Sequence, residues 1–161
     1  MNSKYEINTN ENREFLKASC EDLLNFGHRF PSPNGGSYYL GDDGTPWKDR
    51  NRETWITCRM AHVYSLGLML GHEGSEELAD AALKGLKGEL HDEKNGGWYA
   101  GVTPEGDIVP NKQCYAHAFV ILAASSALTA GRPGAKELLE EALAVYDRHF
   151  WNEEEGLACD T

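Results

Sequence analysis

Arg52, Trp55, Arg59 and His62 fall at steps of three, four and three in the stretch RETWITCRMAHVYSLGLMLG, residues 52–71, so one helical stripe would carry all four. The rest of the stretch is apolar enough for a covered helix. A guanidinium taken into a core is costly unless paired, so Arg59 must either meet a carboxylate such as Glu53 or Asp49 or line a wet cavity. A second polar group lies in KQCYAHAF, where Gln113 and His117 share the i, i+4 relation with Tyr115 beside them. Trp55 and Tyr115 offer flat apolar faces with polar tips, while Arg59, Gln113 and His117 offer directed hydrogen bonds. Together they suit a small polyhydroxylated ligand, which points to a sugar site. His117 reads equally as a satisfied core histidine or as a ligand contact. His62, one turn deeper, reads as core.

Other chemistries find little support. His28, His72, His91 and His149 are scattered in loops or near helix ends, without metal-ligand spacing. Asp42 and Asp43 sit in a turn where Asp is expected for backbone reasons. No GxGxxG, P-loop or GxSxG occurs, so neither nucleotide binding nor a serine nucleophile is indicated, and no cofactor or metal is expected. Cys20, Cys58, Cys114 and Cys159 form no CxxC pair and are expected to be reduced, mostly buried small side chains. A formal charge of −11 over 161 residues argues against nucleic acid or an anionic membrane as partner. The N-terminus MNSKYEINTN lacks a signal-peptide pattern, and the longest apolar run, AFVILAA, is too short to span a bilayer. A cytosolic protein is expected.

The elements that must position these residues are helical. Periodicity and end signals place helices over about 11–26, started by Asn10 and stopped by Gly27, over 52–71, over about 75–90 with Ser75 as N-cap, over about 112–130 and over about 135–150. Two glycine-rich segments, NGGSYYLGDDGTPW (34–47) and NGGWYAGVTPEGDIVP (95–110), each read as a two-stranded flap, and WNEEEGLACDT begins a third. Gly35, Gly96 and Gly156 recur at intervals of 61 and 60 residues, so the chain is an internal repeat of a flap followed by two helices. The helix after each flap is apolar nearly all round and belongs to an inner layer. The next carries a charged face and belongs outside. Such alternation predicts an all-α toroid or solenoid of helical hairpins with short β flaps. Two units and the start of a third cannot close a ring, so residues 1–161 are expected to be the N-terminal part of one longer domain. The alternative is a short solenoid closed by self-association.

The segments TWITCRMAHVYSLG (54–67), GGWYAGV (96–102), KQCYAHAFVILAASSALTAG (112–131) and FWNEEEG (150–156) together resemble the N-terminal part of the N-acylglucosamine 2-epimerase superfamily. The likeness is to its aldose–ketose isomerase branch, which holds the D-mannose and sulfoquinovose isomerases. That resemblance implies an (α/α)6 barrel, here incomplete, with Trp55, Arg59 and Tyr115 lining the sugar pocket and Gln113 and His117 beside them. It also implies metal-free chemistry in which one histidine opens the pyranose and a histidine base moves a proton between C1 and C2 through a cis-enediol. The family's catalytic histidines, assisting glutamate and N-x-N-x-x-H motif have no counterparts in these 161 residues. The isolated chain is therefore expected to be inactive and to need the later repeats. Competing readings are a sugar 2-epimerase of the same superfamily, a non-catalytic sugar-binding scaffold, and an (α/α) glycoside hydrolase. The last needs a carboxylate pair, of which Asp49 or Glu53 would supply only one member.

Overall fold

The computed structural model describes residues 3–160. Its helices are α1 (Asn10–Gly27), α2 (Thr54–Met69), α3 (Ser75–Lys87), α4 (Cys114–Thr129) and α5 (Ala135–His149). Among the described residues are seven two-residue strands, five between the helices and two after α5. β1 (Tyr39–Leu40) pairs antiparallel with β2 (Pro46–Trp47), and β6 (Trp151–Asn152) with β7 (Leu157–Ala158). β3 (Arg52–Glu53), β4 (Gly101–Val102) and β5 (Ile108–Val109) form one sheet in that order.

The five expected helices are present, with shifts at their ends that have local causes. α1 is capped by Thr9 rather than Asn10, because the Thr9 hydroxyl accepts the Asn12 N–H at 3.1 Å. α3 is capped by Gly74 in the left-handed region, φ 78°, while the Ser75 hydroxyl turns instead to His72 Nδ1 at 2.8 Å. α2 begins at Thr54 because Arg52 and Glu53 pair with Val102 and Gly101 of β4. The second flap is therefore part of a three-stranded sheet rather than a free hairpin, and Arg52 leaves the helical stripe. Gly101 permits that pairing, since a Cβ there would stand 2.7 Å from the Arg52 carbonyl oxygen.

The repeat is visible in hydrogen bonds. The carbonyls of Phe30, Leu90 and Phe150 accept from the N–H groups of Tyr38, Tyr99 and Cys159, and those of Ser32, Asp92 and Asn152 accept from Gly35, Gly96 and Gly156. Each later flap also closes on the preceding inner helix: the first N–H of α2 and of α4 is taken by the carbonyl of Ala100 and Asp160, both at 3.0 Å. α1 stands to α3 as α3 stands to α5. His72 reaches back to Asn25 on α1 at 3.3 Å, and Arg132 reaches back to Asp80 and Glu76 on α3 at 2.7–2.9 Å.

α2 packs on α3 and α4, and α4 also on α5. The core runs from Phe30 and Tyr64 through Leu83, Leu86 and Trp98 to Val120, Leu138 and Phe150. The outer helices bury one stripe only, Ala79, Ala82, Leu83 and Leu86 on α3 and Ala135, Leu138, Ala142 and Val145 on α5, as their periodicity requires. The inner helices are not covered on every side by the described residues: Val63, Leu66, Met69, Leu122 and Leu128 are exposed. The cysteines are also less buried than expected. All are free thiols; Cys58 is buried and Cys114 half-buried, but Cys20 on α1 and Cys159 beside β7 are exposed. Among the described residues no helix is long and apolar enough to cross a membrane.

Candidate functional site

The first turns of α2 and α4 open side by side. Trp55 and Tyr115 are each the second residue of their helix, and Arg59 and Phe119 each follow one turn later, so the repeat places the four as two equivalent pairs. Their rings and charge meet. The Arg59 guanidinium carbon lies 4.6 Å from the Trp55 ring centre and 5.0 Å from that of Phe119, and Nη2 donates to the Tyr115 hydroxyl at 3.3 Å. Trp55 meets Tyr115 edge-on with ring centres 6.1 Å apart, and Tyr115 meets Phe119 at 5.0 Å. Tyr39, from β1, touches Trp55 edge-on at 6.3 Å.

Arg59 is exposed, and among the described residues no carboxylate lies within ion-pair distance of it, neither Glu53 nor Asp49. The pairing expected for a buried guanidinium is therefore not needed. Stacking between two aromatic faces holds it, worth about 0.5–1 kcal/mol per face at an exposed site, while its remaining N–H donors have no partner among the described residues. Tyr115 is also exposed, at 50%. Gln113 is half-buried at the N-cap of α4, and among the described residues its side-chain amide has no hydrogen-bond partner. Glu53 accepts the Tyr39 hydroxyl. That phenol is pushed up to about 12, first by burial and then by the Glu53 carboxylate, with Arg50 and Arg59 pulling the other way.

His117 stands apart from this group. It is fully buried against Trp98 and Phe150, and its Nε2 accepts the Trp98 backbone N–H at 3.1 Å. Nδ1 therefore carries the proton and donates to the Gln113 carbonyl at 2.8 Å. Burial holds its pKa below the ordinary imidazole value, so the neutral tautomer is fixed by both partners. The ligand-contact expectation for His117 gives way to a clasp on the second flap. Gly97 makes that clasp possible, because a Cβ there would meet Nε2 at 2.8 Å. His62 is half-buried in the seam between α2 and α4 rather than deep in the core. The Ser126 hydroxyl donates to the Leu122 carbonyl at 2.9 Å, so His62 Nδ1–H is the donor in its 2.6 Å contact with that oxygen. Arg52 is buried and paired with Glu89.

Trp55, Arg59 and Tyr115 thus come together, Gln113 flanks them, and His117 does not join. Phe119 and Tyr39 belong to the group and were missed, although Phe119 could have been found as the repeat equivalent of Arg59. The assembly offers flat faces and directed donors, suited to ring hydroxyls. Among the described residues no three His, Cys, Asp or Glu side chains gather at metal-binding distance.

Comparison with known proteins identifies the family. Residues 35–161 match the family profile described as N-acylglucosamine 2-epimerase (GlcNAc 2-epimerase). A D-mannose isomerase from Thermobifida fusca is 41% identical over 145 residues, spanning 89% of this chain and 36% of the relative. One from Pseudomonas cannabina pv. alisalensis is 37% identical over 143 residues, spanning 89% and 34%. A crystal structure of a D-mannose isomerase superposes with a TM-score of 0.82 at 25% identity over 92% of this chain and 38% of the other. A cellobiose 2-epimerase from Bacillus thermoamylovorans B4167 superposes with a TM-score of 0.78 at 24% identity, covering 92% and 40%, which shows a shared fold. The chain spans about a third of the length of the curated relatives it matches.

Proposed function

Because the chain belongs to the N-acylglucosamine 2-epimerase family, we propose that it forms the N-terminal sugar-binding wall of a cytosolic aldose–ketose isomerase of the mannose/fructose type. The observation that carries this reading is the Arg59 guanidinium, stacked between Trp55 and Phe119, bonded to Tyr115 and free of any carboxylate among the described residues. A cation so held presents donors to sugar oxygens without first breaking an ion pair. Two relatives bear the name D-mannose isomerase, which supports mannose as the substrate of this reading.

In this proposal the two hairpins are part of a six-hairpin (α/α) barrel, and further repeats cover Val63, Leu66, Met69, Leu122 and Leu128. Those repeats also supply the acid and base that open the ring and carry a proton between C2 and C1 through a cis-enediol, without a metal. Trp55 and Tyr115 pack on the sugar, Arg59 and Gln113 donate to its oxygens, and the 161 residues alone do not turn over.

The test is turnover of D-mannose by the complete protein in heavy water. Fructose carrying deuterium at C1 is the expected product, with deuterium appearing at C2 of recovered mannose on reversal. Glucose formed with deuterium at C2 and no ketose would make the protein an epimerase. Binding without exchange would make it a scaffold. A large preference for sulfoquinovose would move the substrate but keep the reaction.

A further inference from the structure

We propose that Glu53 is the hydroxyl-accepting side chain of the sugar site and that Tyr39 holds it in place, an inference that rests on the sugar reading above. Glu53 occupies the N-cap of α2 with an extended backbone, φ −91° and ψ 144°. A side-chain oxygen in that position ordinarily accepts an N–H of the first turn, and a carboxylate is favoured further by the helix dipole. Glu53 makes no such bond. Its carboxylate turns instead to the Tyr39 hydroxyl, and among the described residues it has no other side-chain partner. The second carboxylate oxygen is left with its lone pairs unclaimed.

Placement connects this oxygen to the shelf. Tyr39 bonds Glu53 through its hydroxyl and touches Trp55 through its ring, and the hydroxyl lies close enough to Arg59 to feel that charge. Glu53, Tyr39, Trp55, Arg59 and Tyr115 are therefore contiguous. The backbone at Glu53 is fixed as well, because β3 pairs it with Gly101. Position 113, its repeat equivalent, shows the same behaviour: Gln113 heads α4 without capping it by its side chain. Both helices give up a side-chain cap at the end that faces the shelf.

Donor and acceptor balance gives the role. Arg59 can only donate, and the Tyr115 hydroxyl already accepts from it. A sugar hydroxyl both donates and accepts, so a site built from Arg59, Tyr115 and the neutral Gln113 amide would offer its protons no charged acceptor. An ionised carboxylate is that acceptor, and a phenol held well above neutrality keeps donating to it.

The duller alternative is that Glu53 and Tyr39 merely tie the first flap to α2. Steady-state kinetics of the complete protein separates the two, using D-mannose and its 3-, 4- and 6-deoxy analogues. Glu53→Gln is expected to raise KM for D-mannose roughly 10- to 100-fold, with kcat within about threefold. Tyr39→Phe should raise it about 3- to 10-fold by freeing the carboxylate to move. For the one analogue that lacks the contacted hydroxyl, the ratio of wild type to Glu53→Gln should fall close to one. A ratio that is the same for every analogue, or normal kinetics in Glu53→Gln while Arg59→Ala fails, overturns the role of Glu53 and leaves the sugar site standing. No action of the wild type on any of these sugars overturns the sugar reading and this inference together. If Glu53→Gln does not fold, the Tyr39→Phe ratios across the analogues decide.

Discussion

Thr57 in the first hairpin and His117 in the second occupy the same place on their inner helices, and each catches a flap. The Thr57 hydroxyl accepts the Ser37 N–H at 3.0 Å, and His117 Nε2 accepts the Trp98 N–H at 3.1 Å. One position therefore keeps its hydrogen-bonding duty while its residue type changes from hydroxyl to imidazole. The mouth behaves in the opposite way. Trp55 and Arg59 in the first hairpin become Tyr115 and Phe119 in the second, and the two sets lean on each other across the seam. Equivalent scaffold positions converge on one duty, whereas equivalent mouth positions diverge and combine. A chemically reactive residue type is thus a poor guide to function in a repeat protein, and a difference between repeats at the mouth is a better one.

The largest expected effect tests the divergence. Arg59→Ala in the complete protein should lower kcat/KM for D-mannose by about 100-fold, as expected for the loss of charged hydrogen bonds, while Phe119→Ala should cost about 3- to 10-fold through loss of the stacking face alone. Comparable losses from both would mean that the mouth acts as a packing cluster. Arg59→Lys should not restore activity, because an ammonium cannot stack as a planar guanidinium does.

Stability should respond at the converged position instead. His117→Ala strands the buried Trp98 N–H and opens a void, which predicts a loss of about 3 kcal/mol in urea unfolding. Thr57→Ala strands the Ser37 N–H with a smaller void and should cost about 1–2 kcal/mol. In the complete protein neither should raise KM for mannose as Arg59→Ala does. A His117→Ala variant that unfolds normally but fails to bind sugar would return His117 to the site.

Of the two clasps only the imidazole can take up a proton. Burial lowers the native pKa of His117, so the unfolded chain takes up its proton first as pH falls. The stabilisation is fully present above the unfolded value of about 6.5 and is lost as pH drops through that value toward the lower native one. The urea midpoint of the wild type should therefore fall more between about pH 7.5 and 5.5 than that of His117→Gln, whose amide can serve both partners without titrating. Equal slopes would show that folding leaves the proton affinity of His117 unchanged.

Much of this comparison could be read from the chain itself. A 60-residue recurrence, apolar inner helices and one-sided outer ones follow from local spacing, and so did the meeting of Trp55 and Arg59, one turn apart. What escaped depends on contacts between distant segments. Arg52 and Glu53 look helical until β4, about fifty residues on, pairs with them. His117 looks like a ligand until the Trp98 N–H is placed against it. Tyr39 gives no local sign that its hydroxyl finds Glu53. Hydrophobic period sets which face is buried, but not which distant polar group will meet it.

The smallest expected effect lies in the flap turns, where the hairpins differ again. Asp92 opens the second turn. Its carboxylate accepts the N–H groups of Lys94 and Asn95 and the Lys112 ammonium at 2.7 Å, and that ammonium above all holds its carboxyl well below the usual range. The equivalent Ser32 is also buried, yet its hydroxyl has no partner among the described residues. Both turns share two backbone bonds, Ser32 N–H to the Gly36 carbonyl and Gly35 N–H to the Ser32 carbonyl in the first, and their equivalents at Asp92, Gly97 and Gly96 in the second, so the turn around Ser32 rests on the backbone without the added side-chain contacts. A buried hydroxyl without a partner costs free energy that a methyl group does not. Ser32→Ala should therefore leave the fold unchanged and raise stability by about 0.5–1 kcal/mol in urea unfolding. A loss of more than about 1 kcal/mol would show that Ser32 shares the polar role of Asp92, and that both turns add a side-chain contact to their common backbone bonds.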